Sequence, residues 1–99
     1  MARYRGVSDV RFDGNTTHVT VTMATTDVST AVPAGVTSAY VCAVTDVAIY
    51  VRADSTTVNT GVVVNLTSGG VAIELVGVTN LNANSASVTP ELLITWMKD

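Results

Sequence analysis

Charge is scarce in this 99-residue sequence: Asp, Glu, Lys and Arg together make up 13% of it, against about a quarter in an ordinary soluble domain. His18 is the only histidine, which excludes a multi-histidine metal site and a serine triad that needs a second base. Cys42 is the only cysteine, so no internal disulfide can form, as fits a reducing compartment. No apolar run approaches the roughly 18 uninterrupted residues of a membrane helix, and no membrane partner is expected. The opening MARYRGVSDVRF has arginines but neither the apolar stretch nor the small-residue cleavage site of a secretory signal, so the chain is expected to be made in and kept in the cytosol. No segment repeats apolar residues at helical spacing over three turns, which predicts little or no helix.

What the chain has instead is valine. Hydrophobic residues account for 47% and the mean hydropathy is +0.42, with Val and Ala dominant and Thr and Ser supplying most of the polar surface. Val and Thr are β-branched and suit a pleated surface better than a helix. The length predicts one domain spanning 1–99 with one core. A chain this short buries only roughly 60–65% of the surface its unfolded form exposes. Apolar surface is therefore expected to remain after folding, and a subunit interface is the economical place for it.

The formal charge is −3, unevenly spread. Arg3, Arg5 and Arg11 against Asp9 and Asp13 give residues 1–14 a local +1, while the remainder sums to −4 with only Arg52 and Lys98 positive. A nucleic-acid reader shows a broad basic face, so that role is disfavoured. Residues 1–14 read as a candidate N-terminal arm, with Arg3, Tyr4 and Arg5 able to dock on an acidic neighbour; the plainer reading is a frayed terminus with solvated arginines.

Alternating polarity marks His18 to Ala24, Val47 to Asp54 and Val71 to Val76 as strands with one wet face. Val36 to Val44, Val62 to Leu66 and Leu92 to Met97 are apolar on both sides, as central strands or interface strands are. In the last of these, Leu92, Ile94 and Trp96 share one face and Leu93 and Met97 the other. Turn residues punctuate the chain at Asp13-Gly14-Asn15, Pro33-Ala34-Gly35, Thr45-Asp46, Asp54-Ser55-Thr56, Ser68-Gly69-Gly70 and Asn80 to Ser87. Asp13-Gly14 and Gly69-Gly70 read as hairpin turns. With short strands near Val7 to Phe12 and Val28 to Val32, the predicted fold is all-β: an antiparallel β-sandwich or jelly-roll-like domain of about eight short strands.

Few groups suit chemistry. His18 stands beside Thr on a polar strand face and reads as solvated. Cys42, between Val41 and Ala43, reads as a buried thiol of raised pKa. Asp27, Asp46, Asp54, Glu74 and Glu91 are scattered singly, and Asp46 and Asp54 fit loop capping. Ser68-Gly69-Gly70 lacks the lysine and strand-to-helix context of a phosphate loop. Asn15-Thr16-Thr17 and Asn65-Leu66-Thr67 match the glycosylation sequon but carry little weight without a secretory signal. No catalytic residue, metal or cofactor is assigned. For sugar recognition only Tyr4, Phe12, Tyr40, Tyr50 and Trp96 are available, and Phe12, Tyr40 and Trp96 fit a core or an interface better.

The turn Val32-Pro33-Ala34-Gly35, the strand Asp46-Val47-Ala48-Ile49-Tyr50-Val51-Arg52, a glycine-led apolar strand and the closing Leu92-Leu93-Ile94-Thr95-Trp96-Met97 resemble, in texture and order over about two thirds of the chain, small virion proteins of tailed bacteriophages. Residues 1–14 have no counterpart in the resemblance. It implies a non-enzymatic structural subunit, such as a capsid-decoration, head-fibre or other minor capsid β-sandwich, made in the host cytoplasm and incorporated into the virion. Its partners would be further copies of itself, a trimer being favoured, and the major capsid or another virion protein. Leu93, Trp96 and Met97, near the chain end, are the candidate assembly interface. The alternative is a receptor- or glycan-binding β module of a phage tail or fibre.

Overall fold

A computed structural model describes residues 16–67, 69–86 and 89–98. Eight strands follow in chain order: β1 (Thr16–Thr22), β2 (Val28–Ala31), β3 (Ser38–Ala43), β4 (Ile49–Ala53), β5 (Val62–Val64), β6 (Val71–Glu74), β7 (Asn80–Ser85) and β8 (Glu91–Met97). No helix is present among the described residues. The strands form two four-stranded antiparallel sheets, β1-β8-β3-β6 and β2-β7-β4-β5, here sheet A and sheet B. Only β4 and β5 are both consecutive in the chain and neighbours in a sheet; every other connection passes from one sheet to the other. That order, with each sheet drawing its strands alternately from the two halves of the chain, is the eight-stranded jelly roll.

Register explains why these residues form these strands. In sheet A, Ala39, Val41 and Ala43 of β3 stand opposite Trp96, Ile94 and Leu92 of β8, and all six face inward and are buried. Sheet B supplies Ile49 and Val51 from β4, Leu81 and Ala83 from β7 and Val64 from β5. Val19 and Val21 of β1 and Val71 and Ile73 of β6 close the flanks. The period of two that marked β1, β4 and β6 in the sequence is thus the inward face of each strand.

The segment Asn80 to Ser87, read from its Asn and Ser content as a turn, is corrected: Asn80–Ser85 is β7, a central strand between β2 and β4. Leu81 and Ala83 alternate inward, and the asparagines between them face outward into side-chain partners instead of water. Gly69-Gly70 is also not a hairpin between sheet neighbours. Asn65 and Gly69 form an isolated bridge, after which the chain crosses from sheet B to sheet A. The Tyr40 ring lies against Gly70, where a Cβ would come 2.3 Å from its Cζ and the ring would have to shift. The strand expected near Val7 to Phe12 and the turn at Asp13-Gly14 lie outside the described residues.

The connections gather at two ends. Met23 N–H donates to Pro90 O, Val44 N–H to Glu91 O and Ser85 N–H to Ala24 O at one end; Thr37 N–H to Met97 O, Leu75 N–H to Thr37 O and Val32 N–H to Thr79 O tie the other. At Pro33-Ala34-Gly35 a bond of 3.2 Å from Val36 N–H to Pro33 O closes the expected turn.

Truncating Ile94, 1% exposed at the centre of sheet A, to alanine is expected to cost about 2–5 kcal/mol of unfolding free energy. Urea titration followed by the fluorescence of Trp96, the sole tryptophan, measures it.

Candidate functional site

The outer face of sheet B carries a buried polar network that composition alone does not announce. Arg52 follows the inward-facing Val51 and so points outward, yet it is only 7% exposed. Its Nε donates to Ser55 O at 2.8 Å, Nη1 to Asn84 Oδ1 at 2.8 Å and to Thr60 O at 3.3 Å, and Nη2 pairs with Asp27 Oδ1. Asn82 Nδ2 donates to the other oxygen of Asp27 at 2.8 Å. Holding the amide in that sense leaves the buried Asn82 Oδ1 without a partner among the described residues. Asn84, fully buried, accepts from Asn59 N–H and donates to Asn59 Oδ1, both at 2.9 Å.

These bonds fold the β4–β5 connection back over the sheet. Asp54 and Asn59 adopt φ of 55° and 59°, left-handed values that Asp and Asn tolerate better than most side chains. The Asp54 carboxylate accepts from Thr79 N–H and Asn80 N–H, which is the loop-capping role its position suggested. At Gly61, with φ of 107°, a Cβ would lie 2.2 Å from Val51 O. Only glycine lets the chain pass so close to β4 and start β5 in register.

Beside the network lies an apolar edge. Strand β5 ends sheet B, and no strand lies beyond it among the described residues. Val64 is fully buried, but Val62 and Val63 are 45% and 46% exposed, and Leu66 just past the strand is 56% exposed. Val62 stands opposite Val51 on the inner side and Val63 opposite Tyr50 on the outer side, so the edge is apolar on both sides. Val58, in the connection before β5, is exposed as well. No charged residue occurs between Asp54 and Glu74.

The residues expected to carry function are dispersed. Trp96 is 5% exposed in the core, Met97 is 1% exposed on the outer face of sheet A, and Leu93 is half-buried on that same face opposite Cys42. Their strand, β8, lies between β1 and β3. Arg3, Tyr4 and Arg5 lie outside the described residues. His18 Nδ1 is 3.0 Å from Thr95 Oγ1, a hydrogen bond along the outer face of sheet A. Tyr40 and Tyr50, both half-buried, lie on the outer faces of different sheets and do not converge. No three His, Cys, Asp or Glu side chains come together among the described residues in a way that would hold a metal ion. Sequence reading placed Arg52 on a solvated face; the one available signal was that it is the sole Arg or Lys between Arg11 and Lys98.

Removing one partner of a buried ion pair leaves the other charge uncompensated. Arg52→Met is therefore expected to lower stability by about 3 kcal/mol in urea titration. Arg52→Lys should also destabilise, because an ammonium cannot span the four acceptors that the planar fork reaches. At Cys42, burial pushes the thiol pKa up. The neutral thiol is thus favoured by the fold, a contribution present below the pKa of an unfolded thiol and lost as pH rises through the raised value. Iodoacetamide at neutral pH should label the folded protein more slowly than the urea-unfolded chain, as read by mass spectrometry.

No family model matches this chain, and no curated protein or solved structure is detectably similar to it.

Proposed function

We propose that this chain is a non-enzymatic structural protein of a tailed-bacteriophage virion, a capsid-decoration, minor capsid or fibre subunit that self-associates and attaches to the particle through protein contacts. The observation that carries the reading is the large apolar surface left over by folding. Val44, Val58, Val62, Val63, Leu66 and Val76 are all more than 40% exposed on a chain with 13% charged residues. Scattered single hydrophobes need no explanation, but Val62 and Val63 are neighbours on one edge strand, with Leu66 exposed just past its end. The jelly-roll strand order suits this role because viral capsid domains use it, although the order alone hosts many functions. Attachment by repeated copies then gains from avidity: several weak contacts that match a lattice bind far more tightly than one.

Two measurements test the reading. Light scattering of the purified protein should give an oligomer. Immunogold microscopy with an antibody raised against it should label intact virions of the phage that encodes it. Unlabelled virions would overturn the virion assignment, and a monomer at all concentrations would overturn self-association.

A further inference from the structure

Resting on that reading, we infer which surface joins two copies: β5 pairs antiparallel with β5 of a second copy about a twofold axis, merging the two sheets B into one eight-stranded sheet.

The edges of the two sheets are not alike. Among the described strands, β1 ends sheet A with threonines and His18, β6 ends it with a strand closing on the exposed Glu74, and β2 ends sheet B with exposed Ser29 and Ala31. Natural edges are blunted by shortness, charge, lysine, proline or a bulge, because unpaired backbone groups template the addition of another strand. Strand β5 is short, at three residues, but of the four edge strands it is the one without a polar side chain, being Val62-Val63-Val64, and no charge or proline occurs between Asp54 and Glu74. Three stretches looked apolar on both sides in the sequence. Two of them became β3 and β8, which have a neighbour on each side; the third became β5, which has one only on the β4 side. Among the described residues no strand pairs with its far edge.

A second copy fits this edge on charge and symmetry. The protein carries a net charge of −3, so repulsion between two copies is least where they meet on an uncharged surface. The uncharged span from Ser55 to Ile73 is such a place. A twofold interface uses the same patch on both partners and must be self-complementary, as an uncharged valine edge is with itself. Antiparallel pairing centred on Val63 sets Val62 of one copy against Val64 of the other and brings Leu66 across from Thr60. The Arg52 network and Gly61 hold the strand in place before the partner arrives, which lowers the entropy lost on pairing. A threefold ring would instead require β5 to meet a different surface of its neighbour.

The test is sedimentation equilibrium on the wild type, Val63→Lys and Val76→Lys, each checked for an intact fold by Trp96 fluorescence and urea titration. Val76 is 72% exposed in the β6–β7 connection and serves as the control. The expected result is a dimer for the wild type and Val76→Lys, unchanged from low to high salt, and a folded monomer for Val63→Lys. A wild-type trimer, or an oligomer that survives Val63→Lys, overturns the β5 pairing while leaving self-association standing. Equal dissociation by Val76→Lys also overturns it. A wild-type monomer on labelled virions overturns the second copy as occupant and gives the edge to another virion protein.

Discussion

One guanidinium organises half of this molecule. Arg52 rises from the middle of β4 on the face of sheet B away from the core, and a charge so little exposed must be both neutralised and fully hydrogen-bonded. Asp27, just before β2, supplies the counter-charge, and Asn82 on β7 steadies the carboxylate from its other oxygen. Asn84 and the carbonyls of Ser55 and Thr60 take the Nε and Nη1 donors. The same set of bonds therefore crosslinks three neighbouring strands and brings the β4–β5 connection down onto them. Where that connection ends, β5 begins, so the placement of the exposed edge follows from a buried charge several residues away.

The two sheets solve the problem of a short chain differently. Sheet A places its two most apolar strands, β3 and β8, side by side at the centre. Part of what covers its outer face is small or locally satisfied, such as the Gly70 backbone against Tyr40 and the His18–Thr95 hydrogen bond. Sheet B puts asparagines, an arginine and an aspartate on its outer face and roofs them with a loop. Its remaining apolar excess is concentrated at one edge. A domain with a single thin core cannot bury every valine, and this one exposes Val62 and Val63 on an edge strand and Val44, Val58 and Val76 in its connections.

Much of this was legible in the sequence, because strands with one wet face write their burial as a period of two: Val19, Val21 and Met23, or Ile49 and Val51, face the core as the alternation requires. The central strand β7 was hidden because Asn-Leu-Asn-Ala-Asn-Ser has the composition of a turn, and what makes it a strand is the supply of polar partners from residues 25 to 55 positions away. Burial of Arg52 was illegible for a similar reason: its side-chain partners Asp27 and Asn84 lie 25 and 32 positions away. Two-sided apolar character flagged β3, β5 and β8 alike, but only the sheet order tells which of them lies at an edge. Leu93, Trp96 and Met97 attracted notice as sticky residues near the chain end, and the order places their strand between two others.

The position of β8 also governs how the chain reaches its fold. It is the last of the eight strands to leave the ribosome, yet it is the strand that both β1 and β3 require, with Thr16 waiting for Met97 and Ala43 for Leu92. Sheet A therefore cannot assemble as its strands emerge, and the nascent chain must hold valine-rich, unpaired segments until synthesis passes Met97. Closing such distant pairs is slow compared with local hairpins, and the single local hairpin available is β4–β5. The strand with two exposed valines in the finished domain thus belongs to a hairpin that is complete before β8 is made.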